Sequence, residues 1–347
     1  MYKFGDIDVV LLDFQPHVRR VMKFALNELG ITGARARECG DVDAVRAAVK
    51  ESDPDILILD IDEDRENVCD LATKIRNEQL GSNPFMIITA TTWNPERNVI
   101  RDALDAGVDD IVAKPISVEI MSRRMENLIE NRKQFVATSS YVGPNRRDSR
   151  PLAEGGPNMV SVPNTLRAKA TGDMSAALDR DAMQKALDAI ALQRAQRLAL
   201  DVAEAAVILK GQIEGSVAMP IFREKLTRAS DLVARLADYV EAELDTTARQ
   251  VSSSMTELTA ALQTIQRPEP EQFELLKLHG QALAAMLLGT DGSATLVADA
   301  LRHAAGVRAT AHAAGGESAE MPAAKSDSSS AKPVAEPLRA AAPVLST

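Results

Sequence analysis

The sequence predicts an α/β protein in two parts, a doubly wound parallel sheet of five strands followed by an all-α helical region. Two observations predict this. In residues 1–134, five short apolar segments alternate with amphipathic segments of helix length. In residues 176–305, helical periodicity continues without a strand pattern. Strands that alternate with single helices form a parallel sheet covered on both faces, because the crossover connections are right-handed.

The first part contains five predicted strand–helix units. The third apolar segment, ILIL, is apolar at every position, which is typical of a strand with both faces buried. The predicted strands are residues 9–12, 31–36, 56–59, 85–89 and 111–112. The predicted helices are residues 16–29, 41–51, 66–77, 94–106 and 117–132. In such a sheet, ligands bind beyond the carboxyl ends of the strands.

The rest of the chain divides into three segments. Residues 135–175 are rich in Gly, Pro, Ser and Asn, which predicts a linker of about 40 residues. Residues 176–305 predict a helical bundle whose first helix runs to about residue 213 and whose second begins near Pro220. Further helices are predicted at 255–265, 273–288 and 294–305. Residues 306–347, mostly Ala, Ser and Pro, are predicted to be a disordered tail.

Composition excludes several classes of function. No apolar run approaches the roughly 20 residues that span a bilayer, and the N-terminus lacks signal-peptide features, so we expect a cytoplasmic protein without membrane contact. The formal net charge of −10 argues against binding to nucleic acid. Cys39 and Cys69 lie in unrelated contexts, which indicates reduced, structural thiols. No catalytic triad or phosphate loop is present, so an enzyme is not predicted.

Polar side chains with one shared chemistry follow the predicted strands. Asp13 follows the first strand and Asp60 the third, Thr89 closes the fourth, and Lys114 follows the fifth. A carboxylate can attack a phosphoryl group without losing a proton, but it needs a cation that neutralises the phosphoryl oxygens. The clustered acids at these strand ends are suited to bind Mg²⁺, the Thr89 hydroxyl is suited to donate to one phosphoryl oxygen, and the Lys114 ammonium is suited to pair with another.

Residues 8–132 resemble the CheY-like receiver domains of bacterial response regulators. The resemblance lies in the strand order, the acid after the first strand, the apolar run that ends at Asp60, the Thr89-Ala90 pair and the segment ALDAGVDDIVAKP. It implies a flavodoxin-like fold, phosphorylation of Asp60 by a histidine kinase or a histidine phosphotransfer protein, and a switch at Thr89. With this resemblance we expect Asp13, Asp60 and Asp62 to bind Mg²⁺. The predicted function is therefore phosphorelay signalling, with output through a homodimer or a protein partner of the helical region.

Three positions depart from the family pattern. Phe14 occupies the place of a second acid that binds the metal, which predicts weakened Mg²⁺ binding that Asp62 and Glu63 partly offset. The loop IDEDRENV lacks the usual Met-Pro pair, and Ile111 replaces a switch aromatic. These departures support an alternative, a pseudo-receiver scaffold that works without phosphorylation.

Two further alternatives concern the helical region. His279 lies in a helical segment, as the histidine of a phosphotransfer domain does, although Lys277 precedes it here rather than following it. A DNA-binding module is the other alternative, against which the acidic balance argues.

The linker cluster of Arg146, Arg147 and Arg150 either is a solvated linker or docks on the acidic face of the receiver.

Overall fold

The computed structural model describes residues 2–146, 159–215, 218–266, 268–289 and 293–302. The predicted tail at 306–347 lies outside these residues, as do Arg147 and Arg150. Across the described ranges, no helix is long and apolar enough to cross a membrane.

The first part is a parallel five-stranded sheet with the strand order β2-β1-β3-β4-β5, which confirms the predicted fold class. The strands are β1 (Val9–Leu12), β2 (Ala36–Cys39), β3 (Ile56–Asp60), β4 (Ile87–Thr92) and β5 (Asp110–Ala113). All four pairings are parallel, and β3 lies at the centre of the sheet between β1 and β4. The continuous burial of β3 matches the apolar run ILIL.

Five helices cover the two faces of the sheet. They are α1 (Pro16–Glu28), α2 (Val42–Glu51), α3 (Arg65–Arg76), α4 (Arg97–Asp105) and α5 (Val118–Glu130). The buried cluster on one face includes side chains of α1 and α5, and the cluster on the other includes side chains of α2, α3 and α4. Side-chain caps begin two of these helices: Asp41 accepts from the Ala44 amide and Ser117 from the Ile120 amide.

Two predicted strands are wrong in position. The second was expected at 31–36, but Gly33–Arg35 form a 3₁₀ turn in which Gly33 has a φ of 62°, so the strand begins at Ala36. The fourth was expected at 85–89, but it runs from Ile87 to Thr92. Phe85 and Met86 are buried before the strand begins, and β-branched threonines extend it beyond the apolar run.

The segment predicted as a linker instead contains regular structure. Its elements are the antiparallel hairpin β6 (Phe135–Ala137) and β7 (Val142–Pro144), and helix α6 (Thr165–Thr171). Phe135 is fully buried and stacks edge-on against Phe85, with ring centroids 5.8 Å apart. The few apolar residues of this segment therefore cover the receiver, although the segment is too short and irregular to show a periodicity. The division of the chain into domains stays a prediction.

The second part is all helical, as predicted. Its helices are α7 (Arg180–Glu214), α8 (Met219–Glu243), α9 (Thr246–Thr264), α10 (Pro270–Leu288) and α11 (residues 293–302). Helix α7 packs on α8 and α10, and α9 packs on the same two helices, which gives a bundle. Gly280 permits the close approach of α10 to α7, because a Cβ atom there would lie 2.8 Å from the Ala199 carbonyl oxygen.

The bundle is joined to the receiver at the amino ends of β4 and β5, opposite the strand ends that carry Asp60. Ile190 of α7 shares an apolar cluster with Phe85 and Phe135. The Ala137 amide donates to the Gln193 side chain.

Candidate functional site

Three of the predicted site residues meet at the carboxyl ends of β1, β3 and β5. The Lys114 Nζ lies 2.7 Å from Asp13 Oδ2 and 2.8 Å from Asp60 Oδ1. All three side chains are 2% exposed. The parallel sheet brings these residues together from positions about fifty residues apart, because each ends or directly follows its strand.

Backbone amides hold the two carboxylates in place. The Gln15 amide donates to Asp13 Oδ1 at 2.9 Å, and the Asp62 amide donates to Asp60 Oδ1 at 3.2 Å. Both hydrogen bonds reach back two residues, so the chain turns sharply as it leaves each strand.

Asp62 lies at the edge of this group. Its carboxylate accepts from Thr92 Oγ1 at 2.5 Å and from the Trp93 amide at 2.9 Å, and it lies 3.7 Å from the Lys114 Nζ. Burial raises the pKa of Asp62, but the hydrogen bonds and Lys114 outweigh burial, so the net shift is downward. Asp62 is therefore ionised at neutral pH.

The structure does not bring Thr89 to the end of the fourth strand, and that expectation is wrong. Thr89 pairs with Ile58, two residues before Asp60, and lines a small apolar cavity of about 30 Å³ between the sheet and α5. Thr91 pairs with Asp60, and Thr92 ends the strand.

Sequence reasoning therefore missed Thr92 and Trp93. The run Thr91-Thr92-Trp93 directly after Thr89-Ala90 was a signal that the strand continues, but the register of β4 against β3 is set by packing and cannot be read from one strand alone. The Trp93 ring is half exposed, and its centroid lies 5.8 Å from the Lys114 Nζ.

Phe14 and Ile111, the two departures from the family pattern, both face the core. Each is partly buried against the apolar cluster on the α2, α3 and α4 side of the sheet. Phe14 is therefore a packing residue at the position where an acid would bind metal.

Excess negative charge remains at the site. Three carboxylates, those of Asp13, Asp60 and Asp62, surround the single ammonium of Lys114. Burial, with a contribution from the Asp13 charge, raises the pKa of Asp60 to about 6, although Lys114 opposes the shift. Burial lowers the pKa of Lys114, but Asp13 and Asp60 raise it more, so the ammonium stays charged.

The donor set fits a hard divalent cation in charge and in chemistry, because it consists of oxygen atoms with a net negative charge. Within the described part of the chain, no three His, Cys, Asp or Glu side chains are arranged as a metal cluster. The carboxylates of Asp13, Asp60 and Asp62 therefore fit Mg²⁺ in the chemistry of their donor atoms, without the arrangement of a preformed metal cluster.

His279 is fully buried in the helical bundle. Its Nδ1 lies 2.7 Å from the Leu275 carbonyl oxygen, and its Nε2 lies 3.0 Å from Ser254 Oγ. A phosphotransfer histidine must be reached by a partner protein, so this placement argues against that alternative and is typical of a structural histidine.

Known proteins are similar to the first part of the chain. The sequence profile of the response regulator receiver domain matches residues 8–126. A chemotaxis protein CheY homolog of Campylobacter jejuni is 29% identical over 121 residues, which are 35% of this chain and 91% of that protein. The probable transcriptional regulatory protein TcrX of Mycobacterium tuberculosis is 28% identical over 123 residues, which cover only half of its length.

Among solved structures, the signal receiver domain of the putative response regulator NarL from Mycobacterium tuberculosis matches with a TM-score of 0.32 and 19% identity, over 36% of this chain and 98% of that one. The receiver domain of sensor histidine kinase PA1611 from Pseudomonas aeruginosa, which has a magnesium ion in its active site cleft, matches with a TM-score of 0.30 and 21% identity, over 34% of this chain and 93% of that one.

Residues 8–126 are thus a receiver domain, which is a signalling domain rather than a catalytic one. More particularly, they form a CheY-like receiver domain of a two-component response regulator. Receiver domains in general have a histidine kinase as partner.

Proposed function

We propose that Asp60 accepts a phosphoryl group from a histidine kinase or a histidine phosphotransfer protein. The observation that supports this most is the buried bridge from the Lys114 Nζ to both Asp13 and Asp60 at the carboxyl ends of the strands. A cation held between two carboxylates at this edge is suited to bind an oxygen of an incoming phosphoryl group.

The contacts of Asp60 favour one of its two oxygens as the attacking atom. Lys114 and the Asp62 amide both donate to Oδ1, so Oδ2 is the oxygen that attacks phosphorus. A phosphorus–oxygen bond forms to Asp60 as the phosphorus–nitrogen bond of the donor phosphohistidine breaks. The electron pair of the broken bond stays on the imidazole nitrogen, which takes up a proton from water. The product is an acyl phosphate on Asp60.

Asp13, Asp60 and Asp62 would hold Mg²⁺, which when bound neutralises the repulsion between the carboxylates and the phosphoryl oxygens. Lys114 stays charged and pairs with one phosphoryl oxygen. We assign Thr92, instead of Thr89, as the hydroxyl donor to another, because Thr92 is already bonded to Asp62 at the site.

The output of the protein is proposed to pass through the helical region. The new phosphoryl charge competes with Asp13 for Lys114 and with Asp62 for Thr92, and both exchanges bias the loops after β4 and β5. The bundle then changes its association with a second copy or with a protein partner. This signalling would take place in the cytoplasm.

We expect the Asp60 carboxylate to set the pH dependence of phosphorylation. Its pKa of about 6 means that Asp60 is protonated, and so not nucleophilic, at lower pH. At limiting Mg²⁺, the initial rate of labelling by acetyl phosphate should change little above pH 7, fall to about half at pH 6 and fall roughly tenfold by pH 5. Saturating Mg²⁺ should move this fall to lower pH, because a divalent cation beside Asp60 stabilises its ionised form. A rate that stays constant from pH 8 to pH 5, with the fold intact by circular dichroism, would contradict this assignment.

Phe14→Asp tests the proposal directly. It restores the second acid, so we expect Mg²⁺ to bind roughly tenfold tighter and labelling by acetyl phosphate to reach saturation at lower Mg²⁺ concentration. Trp93 is the only tryptophan and lies at the site, so its fluorescence reports Mg²⁺ binding. Phe14→Asn is the matched control, because it loses the same packing without adding a charge.

The second candidate is a pseudo-receiver, which the packing of Phe14 against the core favours. It predicts that wild type shows neither labelling nor a Trp93 signal with beryllofluoride and Mg²⁺. Labelling of wild type at Asp60 would exclude the pseudo-receiver. Labelling of Phe14→Asp but not of wild type would support the pseudo-receiver and contradict the proposal that Asp60 is phosphorylated.

A further inference from the structure

A second cavity lies between α4 and α5, over β5. Its volume is about 470 Å³, which is within the usual range of small-molecule sites. One part of its wall is apolar, formed by Pro95, Ile100, Leu104 and Ile111. The far wall is polar and basic.

Buried guanidinium nitrogens at this cavity have no hydrogen-bond acceptor within the described ranges. They are the Nε of Arg124 and the Nε and Nη2 of Arg146, and both residues line the cavity. Asp110, on the same wall, has a buried Oδ2 that also has no partner there. Leaving a buried charged donor without an acceptor costs free energy, so the wall is suited to a ligand that supplies acceptors and a donor.

The charges of the lining residues favour an anionic ligand. Four bases, Arg124, Arg132, Lys133 and Arg146, face two acids, Asp109 and Asp110. Arg132 is occupied by Asp109, by the Pro163 carbonyl and by the Phe85 carbonyl. Arg124 Nη1 pairs with Asp110 Oδ1 at 3.2 Å, and Arg146 Nη1 donates to the Asp109 carbonyl oxygen at 3.5 Å. The Nε of Arg124 and the Nε and Nη2 of Arg146 therefore remain as donors for an anion, in a chain whose net charge is −10.

We propose that this cavity binds a nucleotide. The phosphate would accept from Arg124 and Arg146, a hydroxyl or amino group would donate to Asp110, and the base would lie on the apolar wall. None of these residues belongs to the Asp60 site, so binding goes beyond phosphorylation and does not depend on it. The ligand would be a second input, since its binding alters the α4 and α5 surfaces beside β5.

The test is calorimetric titration of the full chain with AMP and GMP, and with adenosine and inorganic phosphate, in the absence of Mg²⁺ and acetyl phosphate. We expect saturable binding of at least one nucleotide, with adenosine and phosphate alone at least about tenfold weaker. Arg146→Gln and Arg124→Gln should each weaken nucleotide binding by at least about tenfold, because each loses a charged hydrogen bond.

Arg197→Gln is the matched control, since Arg197 is a surface arginine of α7 with an exposed fraction close to that of Arg124, 41% against 42%. It should bind nucleotide like wild type. The proposal is overturned if neither nucleotide saturates, if phosphate binds as tightly as the nucleotides, or if both cavity variants, folded by circular dichroism, bind like wild type.

Discussion

Asp60→Asn is expected to abolish labelling by acetyl phosphate and by a cognate kinase. The amide of asparagine is neither ionised nor nucleophilic, and no other carboxylate at the site has the same setting. Asp13 Oδ1 and Oδ2 accept from the Gln15 amide and from Lys114, and Asp62 accepts from Thr92 and the Trp93 amide. Intact mass spectrometry should show one phosphoryl group on wild type and none on the variant.

The same variant should be more stable than wild type at alkaline pH. A carboxyl whose pKa is raised in the folded state costs stability as the pH rises from its ordinary pKa of 3.8 to about 6, and the whole penalty is present above pH 6. Asparagine removes this penalty, but it also leaves Lys114 with Asp13 as its one close partner. We therefore expect a net gain of about 1 kcal/mol in the free energy of unfolding at pH 8. At pH 4 Asp60 is protonated in the fold and the gain should vanish.

Asp55→Asn serves as the matched control. Asp55 is also a buried carboxylate and directly precedes β3 at its amino end, where it accepts from the Asp8 amide and from Lys169. It should keep wild-type labelling and lose stability. If Asp60→Asn were still labelled on another residue, or if Asp55→Asn lost labelling while folded, Asp60 would not be the acceptor.

The sequence predicted those features of the fold that repeat along the chain. The apolar strands and amphipathic helices of the receiver fix its topology, and strand ends in a parallel sheet converge, so Asp13, Asp60 and Lys114 were expected to lie together, as they do. The positions at which the strands end were predicted less accurately. Thr91 and Thr92 are polar, yet both lie buried in β4. Thr92 donates to Asp62 at the site, whereas Thr91 lines the small cavity beside α5.

Features that depend on contacts between distant residues could not be predicted. Phe135 follows no periodic pattern, and its burial depends on contacts with Phe85 before β4 and with the cluster that includes Ile190 of α7. His279 likewise appeared as a helical histidine, and its burial against Ser254 depends on how α9 meets α10. In both cases the contacting residue lies on a different helix or strand, and local sequence patterns do not show which distant residues will come into contact.

Arg76 is the residue whose loss should destabilise the protein most. Its side chain is 1% exposed, and its Nη2 lies 2.6 Å from Asp109 Oδ2. Its other nitrogens donate to the carbonyl oxygens of Gly107, Pro84 and Met86. Burial lowers the pKa of Arg76 to about 10, and Asp109 opposes that shift, so the guanidinium is charged at neutral pH. The buried Arg76 side chain thus donates to four acceptor groups, the Asp109 carboxylate and three backbone carbonyl oxygens.

Arg76→Met should therefore lower the free energy of unfolding by about 3–5 kcal/mol, the usual cost of breaking a buried ion pair on one side. Asp109 would keep Arg132, but the three carbonyl oxygens would lose a buried donor. Arg37→Met is the control, because the ion pair of Arg37 with Glu51 is exposed and screened by solvent, so its loss should change the free energy of unfolding little. Urea unfolding of both variants, followed by far-UV circular dichroism, measures the difference.

The loss should also loosen the contact between receiver and bundle. The Arg76 guanidinium lies 5.1 Å from the ring centroid of Phe135, and that of Arg132 lies 5.4 Å from it, so both cations make a cation–π contact with this ring. In Arg76→Met, amide hydrogens of β6 and β7 should exchange faster than in wild type, while those of β1 and β3 change only as global stability requires. If amide exchange became faster by the same factor in all strands, the β6–β7 hairpin would not unfold as a separate cooperative unit. The bundle would then be coupled to the receiver through the whole sheet.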